Sequence, residues 1–155
     1  IILSGPEPQR SVLENKLLQK LTGSSLSILL VRGTFQPLKI KHSAIDICSY
    51  LDSKTLEETM RLSDLIVCRS GYSSIMDLVR LGKQAILIPT PGQTEQEYLA
   101  GWLKDKGYFY SVSQDNIQIQ KDIRDAFTYY PPEESYSINP GKRLNQITDL
   151  RFNKV

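Results

Sequence analysis

Two patterns of apolar positions alternate along this chain, and together they predict a β/α alternation. In one, runs such as SILLV and AILI are continuously apolar; in the other, apolar residues recur every three or four positions. Unbroken apolar strands belong in a parallel sheet covered by helices on both faces. The predicted strands are 1–4, 26–32, 44–51, 65–68, 85–88 and 108–112, and the predicted helices are 11–21, 54–62, 74–81 and 94–106. Leu13, Leu17, Leu18 and Leu21 share one face of the first helix, where Ser11 and Glu14 have the spacing of a capping box. Ser53 is the expected N-cap of the second helix. After about residue 127 the run TYYPPEESYSINPGK is turn-rich; segment 143–150 fits one more short helix, and a frayed tail reads the same way.

The fold class that follows is α/β: a Rossmann-like, doubly wound parallel sheet of about six strands with helices on both faces. In the order 3-2-1-4-5-6, the first and fourth strands are neighbours at the topological switch point, and ligands bind outside their carboxyl ends. That order sets the turn at 5–10 beside the turn at 69–74. The domain is expected to span 1–130, with 131–155 as a C-terminal tail or a helix packing back on an N-terminal domain. The chain opens on Ile1-Ile2-Leu3, with neither Met nor signal peptide, and reads as the C-terminal portion of a longer protein.

Composition narrows the function classes. A chain of 155 residues with 40% hydrophobic content can bury one substantial core, and no stretch is apolar for long enough to span a bilayer. Lys and Arg number 19 against 17 Asp and Glu, and no basic stripe interleaves with aromatics, which speaks against a nucleic-acid partner. Cys48 and Cys68 lie in strand-like runs without a CxxC partner and read as buried free thiols of a reducing, cytoplasmic compartment. His42 is the only histidine, a loop residue, so the chain has no evident zinc-binding set.

The candidate chemistry lies between residues 64 and 100. Gly71 permits close backbone approach, and Ser73 and Ser74 offer hydroxyls and N–H groups where a helix begins, which suits phosphate oxygens. Arg69 and Arg10 could add bidentate charge. Asp77, one turn further along that helix, could accept from the vicinal hydroxyls of a ribose. Each feature also has a plainer reading: Ser74 and Asp77 are spaced as a capping box, and Arg69 could be a surface charge or an ion pair. Gln93, Thr94, Glu95, Gln96 and Glu97 could address sugar hydroxyls, or could simply complement the dipole of a first helical turn. Tyr72 could stack on a ring or cover the turn, and the Tyr129-Tyr130-Pro131-Pro132 cluster reads as packing.

Taken together, SDLIVCRSGYSSIMDLVRLGKQAILIP followed by TEQEYLA resembles the nucleotide-sugar half of GT-B glycosyltransferases, specifically glycosyltransferase family 28. The matching pieces are Ser63-Asp64, Cys68-Arg69-Ser70-Gly71, Ser74, Asp77, Gly82, Ala85, Pro89 and Glu95-Gln96-Glu97. The resemblance implies that the domain is the C-terminal half of a GT-B fold and that it binds a nucleotide-sugar donor, a UDP-sugar such as UDP-GlcNAc. Ser70, Gly71, Ser73 and Ser74 would form the diphosphate turn, joined by the turn of Gly5 and Arg10; Asp77 would hold the ribose, and Gln96 and Glu97 the donor sugar. The uracil pocket would lie around Tyr50 and Leu51. The first turn departs from the family's Gly-Gly-Ser type, since it reads Ser4-Gly5-Pro6-Glu7-Pro8-Gln9-Arg10. Asp77 and Glu97 stand where the family more often carries Glu and Gln.

The implied reaction is metal-independent, cofactor-free and inverting, with catalytic base and acceptor site in an N-terminal domain, so the chain alone would catalyse little. A membrane-associated acceptor would place the whole protein at the cytoplasmic membrane face. The alternatives are a GT-B nucleotide-sugar epimerase or hydrolase, or the nucleotide-sugar-binding subunit of a two-chain transferase. A dinucleotide module is disfavoured, because no GxGxxG follows the first strand.

Overall fold

Strands 66–68 and 85–87 are buried along their whole length, as their unbroken apolar runs require. The computed structural model describes residues 1–35 and 45–132, so His42, segment 143–150 and all of the tail beyond residue 132 lie outside the described residues. Strand β3, Ile66–Cys68, pairs in parallel with β4, Ala85–Leu87, and β4 pairs with β5, Tyr110–Ser111. A second parallel pair joins β1, Leu29–Val31, to β2, Asp46–Cys48.

Residues 1–3 unite the two pairings. Ile2 bridges in parallel to both Val31 and Cys68. The Ile2 N–H donates to the Val67 carbonyl (2.8 Å), and the Leu3 N–H donates to the Val31 carbonyl (2.9 Å). The order is therefore β2, β1, residues 1–3, β3, β4, β5, the switch-point topology read from the sequence. The predicted first strand is present as this bridging segment, and the five named strands are shorter than their apolar runs. Gly33 is needed where the chain turns out of β1: its φ is +65°, and a Cβ there would lie 2.5 Å from the Leu3 carbonyl oxygen.

Alternate strand residues feed opposite cores. Val67, Ile86 and Ile88 join Leu13, Leu17, Leu18 and Leu21 of helix α1, Gln9–Leu21, together with Ile119 and Ala126 of helix α5, Ile119–Ala126. On the other face, Ile66, Cys68, Ala85 and Leu87 meet residues of three helices. These are Met60 of α2, Ser53–Leu62; Ile75, Leu78 and Val79 of α3, Tyr72–Leu81; and Leu99 and Leu103 of α4, Thr94–Asp105. Each fully buried large side chain contributes about 1.5–3 kcal/mol, and burial on both faces is what makes the sheet doubly wound. Cys68 is buried as expected, and burial pushes its thiol up to about 12, whereas Cys48 is only half-buried.

Three local expectations are corrected. The N-cap of α2 is Asp52, not Ser53; its carboxylate accepts from the Lys54 and Thr55 N–H groups at 3.0 Å each. Helix α1 starts at Gln9, so Ser11 and Glu14 lie inside it and form no capping box. Helix α5 is absent from the sequence reading, because its buried face carries Asp122 between Ile119 and Ala126 and so breaks the apolar period. That carboxylate accepts from the Tyr110 hydroxyl (2.9 Å) and the Gln118 N–H (2.7 Å).

Glu14 is spent on a buried ion cluster. Its carboxylate accepts from Arg10 Nη1 at 2.6 Å and from the guanidinium of Arg32, and all three residues are at most 6% exposed. Glu14→Ala would remove the carboxylate that two buried guanidinium groups share, and removing one partner of a buried pair costs about 3–5 kcal/mol. Urea denaturation of this variant should show a loss of that size, while Glu57→Ala, at exposed ion pairs with Arg61 of α2 and Arg80 of α3, should leave the midpoint nearly unchanged.

Candidate functional site

Four loops gather at the carboxyl edge of the sheet: residues 4–8 before α1, 69–71 between β3 and α3, 88–93 between β4 and α4, and 112–118 between β5 and α5. The middle two meet directly, because Arg69 Nη1 donates to the Ile88 and Pro89 carbonyls, and the fully buried Ser70 hydroxyl donates to the Gln96 carbonyl in the first turn of α4 at 2.8 Å. The first is joined to them by Arg69, whose Nη2 donates to the Gln9 carbonyl at 2.8 Å. The turns at 5–10 and 69–74 therefore lie side by side at the edge where this topology opens its crevice. Gly5, with φ +100°, borders it opposite Thr90; a Cβ on Gly5 would lie 3.9 Å from the Thr90 hydroxyl.

Helix α3 begins two residues earlier than its sequence pattern predicts. Gly71 is its N-cap, in extended conformation with φ −73° and ψ 146°, and no side chain caps the helix. The first-turn N–H groups thus belong to Tyr72, Ser73 and Ser74, and they normally lack intrahelical partners. Ser74 sits third in the helix, so the capping-box reading of Ser74 and Asp77 is removed. Asp77 is half-exposed on the face of Ser73 and Ser74, with one oxygen 3.6 Å from Arg80 Nη2. Tyr72 is exposed beside this turn.

The two arginines are placed otherwise than as surface phosphate contacts. Arg69 is 1% exposed, and its Nη atoms donate to the Ile88 and Pro89 carbonyls at 3.2 and 3.0 Å, to the Gln9 carbonyl and to Gln114 Oε1 at 2.6 Å. Its Nε is buried without a partner among the described residues, and burial lowers its pKa to about 10. The guanidinium is a strut beneath the turn. Arg10 is likewise buried, held by Glu7, Glu14 and the Ser11 hydroxyl. A strand end and a first helical turn both point inward, where the sequence pattern suggested outward charge.

Gln96 and Glu97 fasten the loop before α4. Gln96 Oε1 accepts from the Thr90 N–H (3.0 Å), its Nε2 donates to Gln93, and Glu97 Oε1 accepts from the Gly92 N–H (3.0 Å). Past the end of β2, Tyr50 is exposed and stacks on exposed Phe35 with ring centroids 5.5 Å apart, an open aromatic platform on the same edge. Sequence reasoning missed Gln9, Thr90 and Gln114. Their one signal was a position just beyond a strand's carboxyl end. No group of three or more metal-ligating side chains occurs among the described residues.

Comparison with known proteins gives a consistent result. The glycosyltransferase family 28 C-terminal domain matches residues 9–146. One relative, from Alkaliphilus metalliredigens (strain QYMF), is 30% identical over 143 residues, covering 84% of this chain and 36% of the relative. Another, from Sulfurihydrogenibium sp. (strain YO3AOP1), is 24% identical over 132 residues, covering 82% of this chain and 38% of the relative. Both are named UDP-N-acetylglucosamine--N-acetylmuramyl-(pentapeptide) pyrophosphoryl-undecaprenol N-acetylglucosamine transferase. The chain thus spans little more than a third of either protein. Among solved structures, Acinetobacter baumannii MurG superposes with a TM-score of 0.58 at 15% identity, covering 83% of this chain and 42% of that one. The glycotransferase of kitacinnamycin superposes with a TM-score of 0.59 at 11% identity, covering 80% and 32% respectively. These likenesses show the fold to be the Rossmann-like α/β half of a GT-B glycosyltransferase.

The Ser70 contact generates a stability prediction. Ser70→Ala removes the hydrogen bond that a fully buried hydroxyl makes to the Gln96 carbonyl and should destabilise the domain by about 0.5–1.5 kcal/mol, measured by chemical denaturation. Ser73→Ala, at an exposed hydroxyl, should leave the unfolding midpoint unchanged.

Proposed function

The chain belongs to glycosyltransferase family 28, and from that premise we propose that it is the donor-binding domain of a glycosyltransferase using a UDP-sugar such as UDP-N-acetylglucosamine. The observation that carries this reading is the uncapped N-terminus of α3, with two serines in its first turn and Asp77 on the same face one turn on. Backbone N–H groups and the helix dipole favour a diphosphate there, and the half-exposed Asp77 carboxylate accepts from ribose hydroxyls. Gly5 and Gly71 let backbone approach the ligand, and Ser70, Ser73 and Ser74 complete the diphosphate turn. Gln96 and Glu97 border the donor sugar. Their hydrogen bonds within the 90–93 loop fix their stems; Glu97 engages the Gly92 N–H through Oε1, and its Oε2 is the acceptor for a sugar hydroxyl. The Tyr50 and Phe35 platform suits the flat face of the base.

In the proposed reaction an acceptor hydroxyl attacks the anomeric carbon and the bond from that carbon to the diphosphate breaks with inversion. The departing nucleoside diphosphate carries away the electron pair, and the hydroxyl proton passes to a base. Fixed N–H groups and hydroxyls stabilise the developing phosphate charge without a cation. The base and the acceptor site belong to an N-terminal domain or partner chain. With a membrane-bound acceptor, the whole protein would work at the cytoplasmic membrane face; no helix among the described residues is long and apolar enough to cross a membrane.

Calorimetric titration tests the reading. The chain should bind UDP in preference to GDP, dTDP and NAD, with affinity indifferent to chelator, and a preference for NAD would overturn it. Asp77→Ala should weaken UDP binding by about 1–3 kcal/mol, the scale of a lost charged hydrogen bond, with the fold intact by circular dichroism.

A further inference from the structure

We infer that Gln114 is a positioning residue that holds Arg69 charged and without a counter-ion beneath the diphosphate turn, so that a bound diphosphate supplies the balancing charge. The inference rests on the donor-binding reading above. Gln114 lies 45 residues beyond Arg69 in the chain, in the loop after β5, and is 3% exposed. A guanidinium can only donate, so the amide must turn its oxygen to Arg69, at 2.6 Å, and its NH2 to Gln9 Oε1, at 3.0 Å. The loop that carries it is itself pinned to α1, where Lys16 pairs with Asp115 and donates to the Gln114 carbonyl at 3.4 Å.

Every acceptor around Arg69 is neutral: the carbonyls of Gln9, Ile88 and Pro89, and the amide of Gln114. Among the described residues no carboxylate lies within ion-pair distance of Arg69, whereas Arg10 and Arg32, in the neighbouring cluster, share Glu14. A carboxylate at position 114 would accept the same hydrogen bond and pair the charge, as Glu14 does for its two arginines. An amide there keeps the geometry and leaves the field. In a partly desolvated crevice, an unneutralised charge under a turn of N–H groups acts on a diphosphate at short range, and it does nothing for a neutral nucleoside.

The test compares Gln114→Glu and Gln114→Leu with the wild-type chain. Gln114→Glu keeps an acceptor for Arg69, with the Gln9 amide turned over to donate, so its thermal midpoint should equal or exceed that of wild type. Its affinity for UDP should nevertheless fall about tenfold at low salt, about the effect of one opposing charge at the turn, while uridine binds within about twofold of wild type. A purely structural amide would leave UDP affinity unchanged in this variant; that result, or equal losses of UDP and uridine, would overturn the inference. Amide hydrogen exchange of residues 70–74 needs no ligand. It should stay at the wild-type rate in Gln114→Glu and accelerate in Gln114→Leu, and an unaccelerated Gln114→Leu turn would overturn the positioning role. Failure of the wild-type chain to bind either UDP or uridine would instead overturn the donor-binding reading.

Discussion

The arrangement depends on three residues at the start of the chain. Without residues 1–3 the parallel ladders of the described residues fall into a pair, β1 and β2, and a triplet, β3 to β5, because it is Ile2 that bridges to both Val31 and Cys68. The same insertion sends the chain out at Gly5 directly beside the end of β3, since Leu3 is held to Val31 and Ile2 to Val67. A constraint on sheet order thus becomes the geometry of a site: two turns far apart in sequence must share one edge. The close approach of Gly33 to the Leu3 carbonyl shows how tightly that edge is packed.

On this edge polar groups are divided between building and binding. Arg69, Ser70, Gln96 and the buried Glu14 cluster tie loops together by hydrogen bonds with most of their donors used. The first turn of α3, Tyr72 to Ser74, is by contrast capped by no side chain, and Asp77 is half-exposed. Desolvated groups hold the frame, and a helix end with unspent N–H groups is left over for an anion. Because the frame is built largely of hydrogen bonds among buried groups, it is pre-formed, and a ligand need not meet the cost of ordering it.

How much was legible in the sequence follows from the same division. The β/α alternation could be read because unbroken apolar strands and helix periodicity are properties of local runs, and the pairing of the two turns then followed from the strand order of the Rossmann-like class. The motif around Cys68 to Asp77 was legible because its residues are contiguous. What stayed hidden was the direction of side chains: Arg69 and Arg10 have the composition of ligand contacts, and only tertiary packing turns them inward. Helix α5 escaped because Asp122, buried against Tyr110, occupies a position that the periodic pattern reserves for an apolar residue. Gln114 and Thr90 could not be picked out, since a single amide or hydroxyl beyond a strand carries no spacing signal.

If the crevice between residues 5–10 and the start of α3 binds a nucleoside diphosphate, its backbone amides must sense the ligand. Chemical-shift mapping of those amides during titration with UDP tests this most directly. Saturable shifts should concentrate at Gly5, Gly71, Tyr72, Ser73, Ser74 and Asp77, with smaller ones at Tyr50 and around residues 90–97. Shifts confined to the opposite edge of the sheet, or to the groove lined by Lys20 of α1 and Lys121 and Arg124 of α5, would contradict donor binding at this crevice.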